Sequence, residues 1–141
     1  MYQSVLLATD LMASSHDIVL QAKQVADVFQ AKCFIVHVIE PPASTIYAAA
    51  LGFAEFVDPA TEDAKTTLKT LADELTIPEE QQFVKVGSIR NEINKLALEL
   101  KVDLIIIGSH SKTGFSHILG STANGVLHTA HCDVLTLRHH Q

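Results

Sequence analysis

Leu104, Ile105, Ile106 and Ile107 form an uncharged, mainly β-branched run that stops at Gly108. So short a run between polar flanks reads as a strand buried on both faces, as in a parallel sheet. A polar segment with Ser109, Ser111, Lys112, Thr113 and Gly114 follows, and Gly120-Ser121-Thr122 opens a further helix. A strand, a glycine-bearing loop and a helix start with small hydroxyl residues is how α/β proteins hold a phosphate. Free backbone N–H groups and the positive end of the helix dipole converge there on the anion. Gly and Ser are also ordinary loop and cap residues, so the pattern alone leaves both readings standing.

The rest of the chain supplies partners for that strand. Val5 to Ala8 is a first buried strand, with Thr9 and Asp10 at its C-terminal end. Ser14 or Ser15 suits the N-cap of a helix whose Ile18, Ala22, Val25 and Phe29 share one face. Phe34 to Ile39 is a second strand, cut off by Pro41-Pro42. Ala43 to Pro59 shows neither strand alternation nor a capped helix, and reads as a partly ordered cover over the strand ends. Asp58-Pro59 starts a helix with an Ala64, Leu68, Leu71 and Leu75 stripe that ends near Pro78. Phe83 to Val86 is a third strand stopped by Gly87, and Ser88 caps a helix with Ile89, Ile93, Leu96 and Leu100 on one side. After the run at 104–107 come a helix from Ser121 to Thr129 and a last strand from Asp133 to Leu137.

Five strands alternating with four helices predict an α/β fold: a doubly wound, Rossmann-like parallel sheet with helices on both faces. Right-handed crossovers and a return to the first strand give the order 3-2-1-4-5. The topological switch then falls between strands 1 and 4, and ligands of such sheets bind outside the strand carboxyl ends at that point. This rule alone brings Asp10 opposite Gly108.

Composition bounds the rest. At 141 residues, 48% of them hydrophobic and 6% aromatic, the chain reads as a single domain, 1–141, with an aliphatic core. A net charge of −6 lacks the basic face that nucleic-acid binding needs. No apolar run approaches the length of a membrane span, and MYQSVLLATDL has no basic region ahead of its short apolar run, unlike a signal peptide. Cys33 and Cys132 lie in or beside strands and are expected to be buried, reduced thiols, which suits the cytoplasm.

Chemistry-bearing motifs are sparse. Asp10 could hold ribose hydroxyls or a metal-bound water, or simply make an Asx turn or N-cap. Ser121 and Thr122 could donate to phosphate oxygens or serve as plain caps. Of the eight histidines, His128 and His131 cluster with Cys132, but no second compact pair lies nearby, so no structural metal is expected. Those two histidines read instead as cations near a helix C-terminus. Gly108-Ser109-His110-Ser111 lacks the second glycine of a nucleophile elbow, the GxxxxGK[ST] spacing is absent, and no carboxylate pair is placed for acid–base work. No catalytic residues are assigned, and these residues supply no engine for fast chemistry.

VLLATD near the N-terminus, together with IIIGSHSKTGFSHILGSTANGVLHTAHCDVLTLR, resembles the universal stress protein family, and within it the bacterial universal stress protein A branch. The resemblance spans essentially the whole chain and is weakest across 41–60. It implies the doubly wound fold, a cytoplasmic homodimer paired through the last strand, Val134 to Leu137, and a role in stress survival. Some members bind ATP and others do not. The ATP-binding pattern is G-x-x-G, nine residues, then G-[S/T]. Here Gly108 matches the first glycine and Gly120-Ser121 the last pair, but Ser111 replaces the second glycine and eight residues, Lys112 to Leu119, separate it from Gly120. Serine adds a Cβ where backbone approaches phosphate. Carried over residue by residue, Ala8, Thr9 and Asp10 match the adenosine side, with Asp10 toward ribose, and Val38 matches the position whose backbone meets adenine. Gly108, Ser111, Gly120, Ser121 and Thr122 match the phosphate side. The implied cofactor is ATP or another adenine nucleotide, with room for Mg beside it.

Two functions follow as expectations. One is a dimer whose adenine nucleotide biases contacts with a protein partner. The other is a nucleotide-independent stress protein that acts through its dimer and the 43–57 surface.

Overall fold

The computed structural model describes residues 1–52, 58–109 and 121–138. Among them five strands form one parallel sheet: β1 (Ser4–Ala8), β2 (Lys32–Ile39), β3 (Gln82–Val86), β4 (Leu104–Ser109) and β5 (Asp133–Arg138). The order is β3-β2-β1-β4-β5, with Leu7 paired to Ile35 on one side and to Ile106 on the other. This is the 3-2-1-4-5 arrangement expected from alternating strands and helices. Each strand matches its expected span to within two residues.

Helices cover both faces. On one, α1 (His16–Val28) and α3 (Asp58–Glu74) set Val19, Ala22, Ala26, Leu68 and Ala72 against alternate residues of the central strands, such as Leu7, Ile35 and Ile106, with Leu75 just beyond α3 joining them. On the other, α4 (Ile89–Glu99) and α5 (Ser121–Thr129) set Ile93, Leu96, Ala123 and Val126 against the intervening residues Leu6, Val36, Ile105 and Ile107. Strands buried on both faces need apolar side chains at every position, which is why 104–107 is a continuous run rather than an alternation.

The region after Pro42 differs from the expected irregular cover. Ala43–Ala50, ASTIYAAA, forms helix α2, so the described residues carry one helix more than the four expected. Alanine needs no cap or apolar stripe to favour the helix, and those were the signals this segment lacked. Residues 53–57 lie outside the described set. Ser88 occupies the N-cap position of α4, where its carbonyl accepts the Glu92 N–H at 2.9 Å, but its side chain makes no capping bond.

Three helices end alike. Gln30, Thr76 and Lys101 follow α1, α3 and α4 with φ of 53°, 57° and 55°. In each case the next residue donates its N–H back across the last turn: Ala31 to Ala26, Ile77 to Ala72 and Val102 to Ala97. These are Schellman motifs built without glycine.

Candidate functional site

Beyond the carboxyl ends of the strands, at the point where the chain departs from β1 and from β4 to opposite faces, lies a cleft of about 490 Å³. Ala8, Thr9, Asp10, Val38, Gly108, Ser121 and Thr122 all line it. Ser111 and Gly120 lie outside the described residues. Ile18, Ile93 and Ile107 add aliphatic wall.

The loop after β1 is held by its own side chains. Asp10 Oδ1 accepts the Met12 N–H at 2.9 Å, and Oδ2 accepts the Ser15 hydroxyl at 3.1 Å. Thr9 Oγ1 accepts the Leu11 N–H at 3.1 Å, while Leu11 itself sits at φ 62°. Leucine in the left-handed region is strained, and such strain persists only where neighbours over-determine it. Asp10 thus makes the Asx turn that was one of its two readings, and remains exposed on the cleft rim. A carboxylate oxygen accepts more than one hydrogen bond, so the turn does not exhaust it. Ser15, expected as a cap, is the N-cap residue of α1 but spends its hydroxyl on Asp10.

Across the cleft, Ser121 and Thr122 are the first residues of α5. Their N–H groups belong to a first turn that has no intrahelical acceptors, at the positive end of the helix dipole. Gly108 is pressed against α1: a Cβ there would stand 3.1 Å from Ile18 Cδ1.

Among the lining residues not singled out from sequence as nucleotide ligands, His37 carries a ring that can hydrogen-bond. His37, on β2, has Nδ1 2.8 Å from the Thr9 carbonyl oxygen, and its half-buried ring lines the cleft. A polar residue inside the apolar run from Phe34 to Ile39 was the available signal.

Among the described residues no group of three or more His, Cys, Asp and Glu side chains could hold a metal ion, and no helix is long and apolar enough to cross a membrane. Both cysteines are free; Cys33 is buried and Cys132 half-buried.

The profile of the Universal stress protein family matches residues 1–138. The chain belongs to the universal stress protein family. Universal stress protein A homolog 2 of Coxiella burnetii is 39% identical over 141 residues, covering 97% of this chain and 95% of that one. Among solved structures, hypothetical protein MJ0577 is 27% identical, with all of this chain and 99% of that chain covered at a TM-score of 0.80. A universal stress protein in complex with cAMP is 26% identical, with 99% and 98% covered at a TM-score of 0.68. Of the two stretches that carried the resemblance, VLLATD includes the end of β1, and the longer one includes the end of β4 and the start of α5, which line the cleft.

Proposed function

We propose that this universal stress protein is a cytoplasmic, dimeric stress-response protein that takes ATP or a related adenine nucleotide as a regulatory ligand. One observation carries the reading: a single cleft of about 490 Å³ at the topological switch joins the Asp10 loop to the start of α5. Ligands of open α/β sheets bind at that place. The cAMP complex of a 26% identical universal stress protein supports the ligand class.

In this reading Ala8, Thr9 and Asp10 serve the adenosine, with Asp10 accepting ribose hydroxyls, and the Val38 backbone meets the base. Gly108, Ser111, Gly120, Ser121 and Thr122 serve the phosphates, with Mg alongside them. The nucleotide's role is occupancy rather than turnover. Isothermal titration of nucleotide-free protein with ATP, AMP and cAMP tests this. Micromolar to millimolar binding is expected, and the absence of heat and of any thermal shift at millimolar ligand rejects it.

The dimer rests on β5. It lies at the edge of the sheet, pairs with β4, and carries the half-buried Val134, Leu135 and Leu137. An aliphatic edge strand left open is an aggregation hazard that pairing across a two-fold removes. Sedimentation at micromolar concentration should give twice the chain mass.

A second reading, action without nucleotide through protein contacts, is favoured by Ser111 and by the eight-residue spacing to Gly120. It wins if titration shows no binding while the protein remains folded and dimeric.

A further inference from the structure

Behind the loop that walls the cleft lies a second cavity. A groove of about 360 Å³ runs between α3 and the chain from Thr9 to Val19, and Thr9, Met12 and Val19 line both spaces. Its α3 wall is Thr66, Thr67, Thr70, Leu71 and Glu74, spaced three or four apart and so on one helix face. From Thr66 to Glu74 that face is about 12 Å long. Leu11, Met12, Ala13 and Val19 supply apolar surface around it.

The hydrogen-bond donors of these walls are largely committed. Thr66, Thr67 and Thr70 donate their hydroxyl hydrogens to the carbonyls of Glu62, Asp63 and Thr66 one turn back, at 3.1, 3.0 and 3.1 Å. The N–H groups of Leu11 and Met12 are taken by Thr9 Oγ1 and Asp10 Oδ1. What the walls present is mainly methyl and methylene surface and oxygen lone pairs. At the Glu74 end, Oε1 and Oε2 lie 3.1 and 3.3 Å from the same nitrogen, His16 Nε2, and the carboxylate is about half exposed. Its two oxygens have about four lone-pair sites, so one imidazole does not exhaust them. Lys65 and Lys69 of α3 pair with Glu62 and Asp73 and line a different groove, beside Gln82 and Val84 of β3. Among the described lining residues, Glu74 and His16 are the ones that carry or can take a charge.

We propose that this groove is a second ligand site, for a linear aliphatic primary amine whose chain lies along α3 and whose ammonium meets Glu74. Small-molecule pockets run from roughly 300 to 1,000 Å³, so the groove is large enough. Its length along one helix face and its apolar walls suit an extended chain. The carboxylate at one end and the shortage of donors select a cationic head and disfavour an anionic one. This chemistry is the opposite of what a nucleotide phosphate needs, and the site stands apart from the nucleotide reading.

The test titrates the full chain, without nucleotide, with heptylamine, heptan-1-ol and heptanoate at pH 7.5 and constant ionic strength, followed through backbone amide signals by NMR. Heptylamine should bind about three- to fivefold more tightly than heptanol, with heptanoate weakest. Pentylamine, two methylenes shorter, should bind roughly tenfold more weakly than heptylamine. The shifted amides should centre on Leu11, Thr70 and Leu71. Glu74→Gln should remove the amine's advantage over the alcohol. Thr70→Phe fills the groove from an exposed helix position and should weaken the amine and the alcohol alike at least tenfold; Thr67→Phe is the second filling variant. The proposal is overturned if heptanoate binds as tightly as heptylamine, or if the amine's advantage persists in Glu74→Gln. Affinity unchanged by both filling variants, shifts centred on Ser121 and Thr122, or no binding at about 10 mM ligand overturn it as well. None of these outcomes bears on nucleotide titration, whose failure would leave the groove standing.

Discussion

Gly108 and Ile18 are in contact between β4 and α1: a Cβ built on residue 108 would stand 3.1 Å from Ile18 Cδ1 and 3.2 Å from its Cγ2. The glycine that looks like part of a phosphate loop therefore has a packing reason of its own, since Ile18 is 5% exposed and has little room to retreat. Gly108→Ala should destabilise the ligand-free protein by about 1–2 kcal/mol through overpacking. Denaturant unfolding without nucleotide checks this. Combining it with Ile18→Val, which removes the nearer methyl, should recover part of the loss. Equal costs in the two backgrounds would mean that the contact is relieved elsewhere.

The order of the sheet was readable because interior strands buried on both faces must be apolar, as the runs in β1, β2 and β4 are, and because five strands alternate here with amphipathic helices. The switch-point rule then places Asp10 and Gly108 at one cleft with no tertiary input. Other features depend on information that residue types do not carry. ASTIYAAA hides a helix because alanine is favourable there without caps or a stripe. The approach of α1 to Gly108 comes from how the helix packs, and the direction of the His37 ring depends on strand parity and on the Thr9 carbonyl just past β1. Asp10 could be read as turn-former or ligand because the same carboxylate geometry suits both. The departures at Ser111 and in the loop to Gly120 fall outside the described residues, so their effect is tested by binding alone.

Gln30, Thr76 and Lys101 occupy the left-handed position that ends a Schellman motif, with φ of 53°, 57° and 55°. A side chain there costs about 1–2 kcal/mol, partly offset by the chain entropy that glycine adds to the unfolded state. Each of Gln30→Gly, Thr76→Gly and Lys101→Gly should therefore stabilise the protein, by roughly 0.5–1 kcal/mol, or about 2–4 °C in Tm. Thermal unfolding in the absence of ligand measures it. A fall in Tm for all three would show that the side chains contribute more than their backbone strain costs.

Cys33 sits on β2 with burial pushing its thiol up to about 12, an effect that Lys23 partly offsets and Asp27 reinforces. At pH 8 only about one molecule in ten thousand then carries the thiolate. Iodoacetamide at that pH should leave Cys33 unmodified in the folded protein and label it readily in urea, as peptide mass mapping would show. The same shift has a sign in stability. The folded thiol holds its proton more tightly than the unfolded one, so the contribution is complete below the ordinary thiol pKa and is lost as pH rises toward 12. Cys33→Ala should flatten that alkaline limb. Rapid native labelling would mean that β2 opens far more often than its central place in the sheet allows.

Asp10 separates a structural from a ligand-holding role because its two oxygens have different local duties. Oδ1 accepts from Met12 at 2.9 Å and Oδ2 from the Ser15 hydroxyl at 3.1 Å. Asn in its place retains an oxygen for the Met12 N–H, and the Ser15 hydroxyl can turn to accept from the amide. Asp10→Asn should thus change stability by no more than about 0.5 kcal/mol, whereas Asp10→Ala, which removes the turn-forming acceptor, should cost about 1 kcal/mol. Nucleotide binding should respond differently. Both variants lose the charge-assisted acceptor for a ribose hydroxyl, so each should bind AMP about tenfold more weakly at pH 7.5. Titration calorimetry alongside denaturant unfolding distinguishes the cases. Affinity that tracks stability, nearly intact in Asn and reduced in Ala, would assign Asp10 to the turn alone and take the ribose away from it.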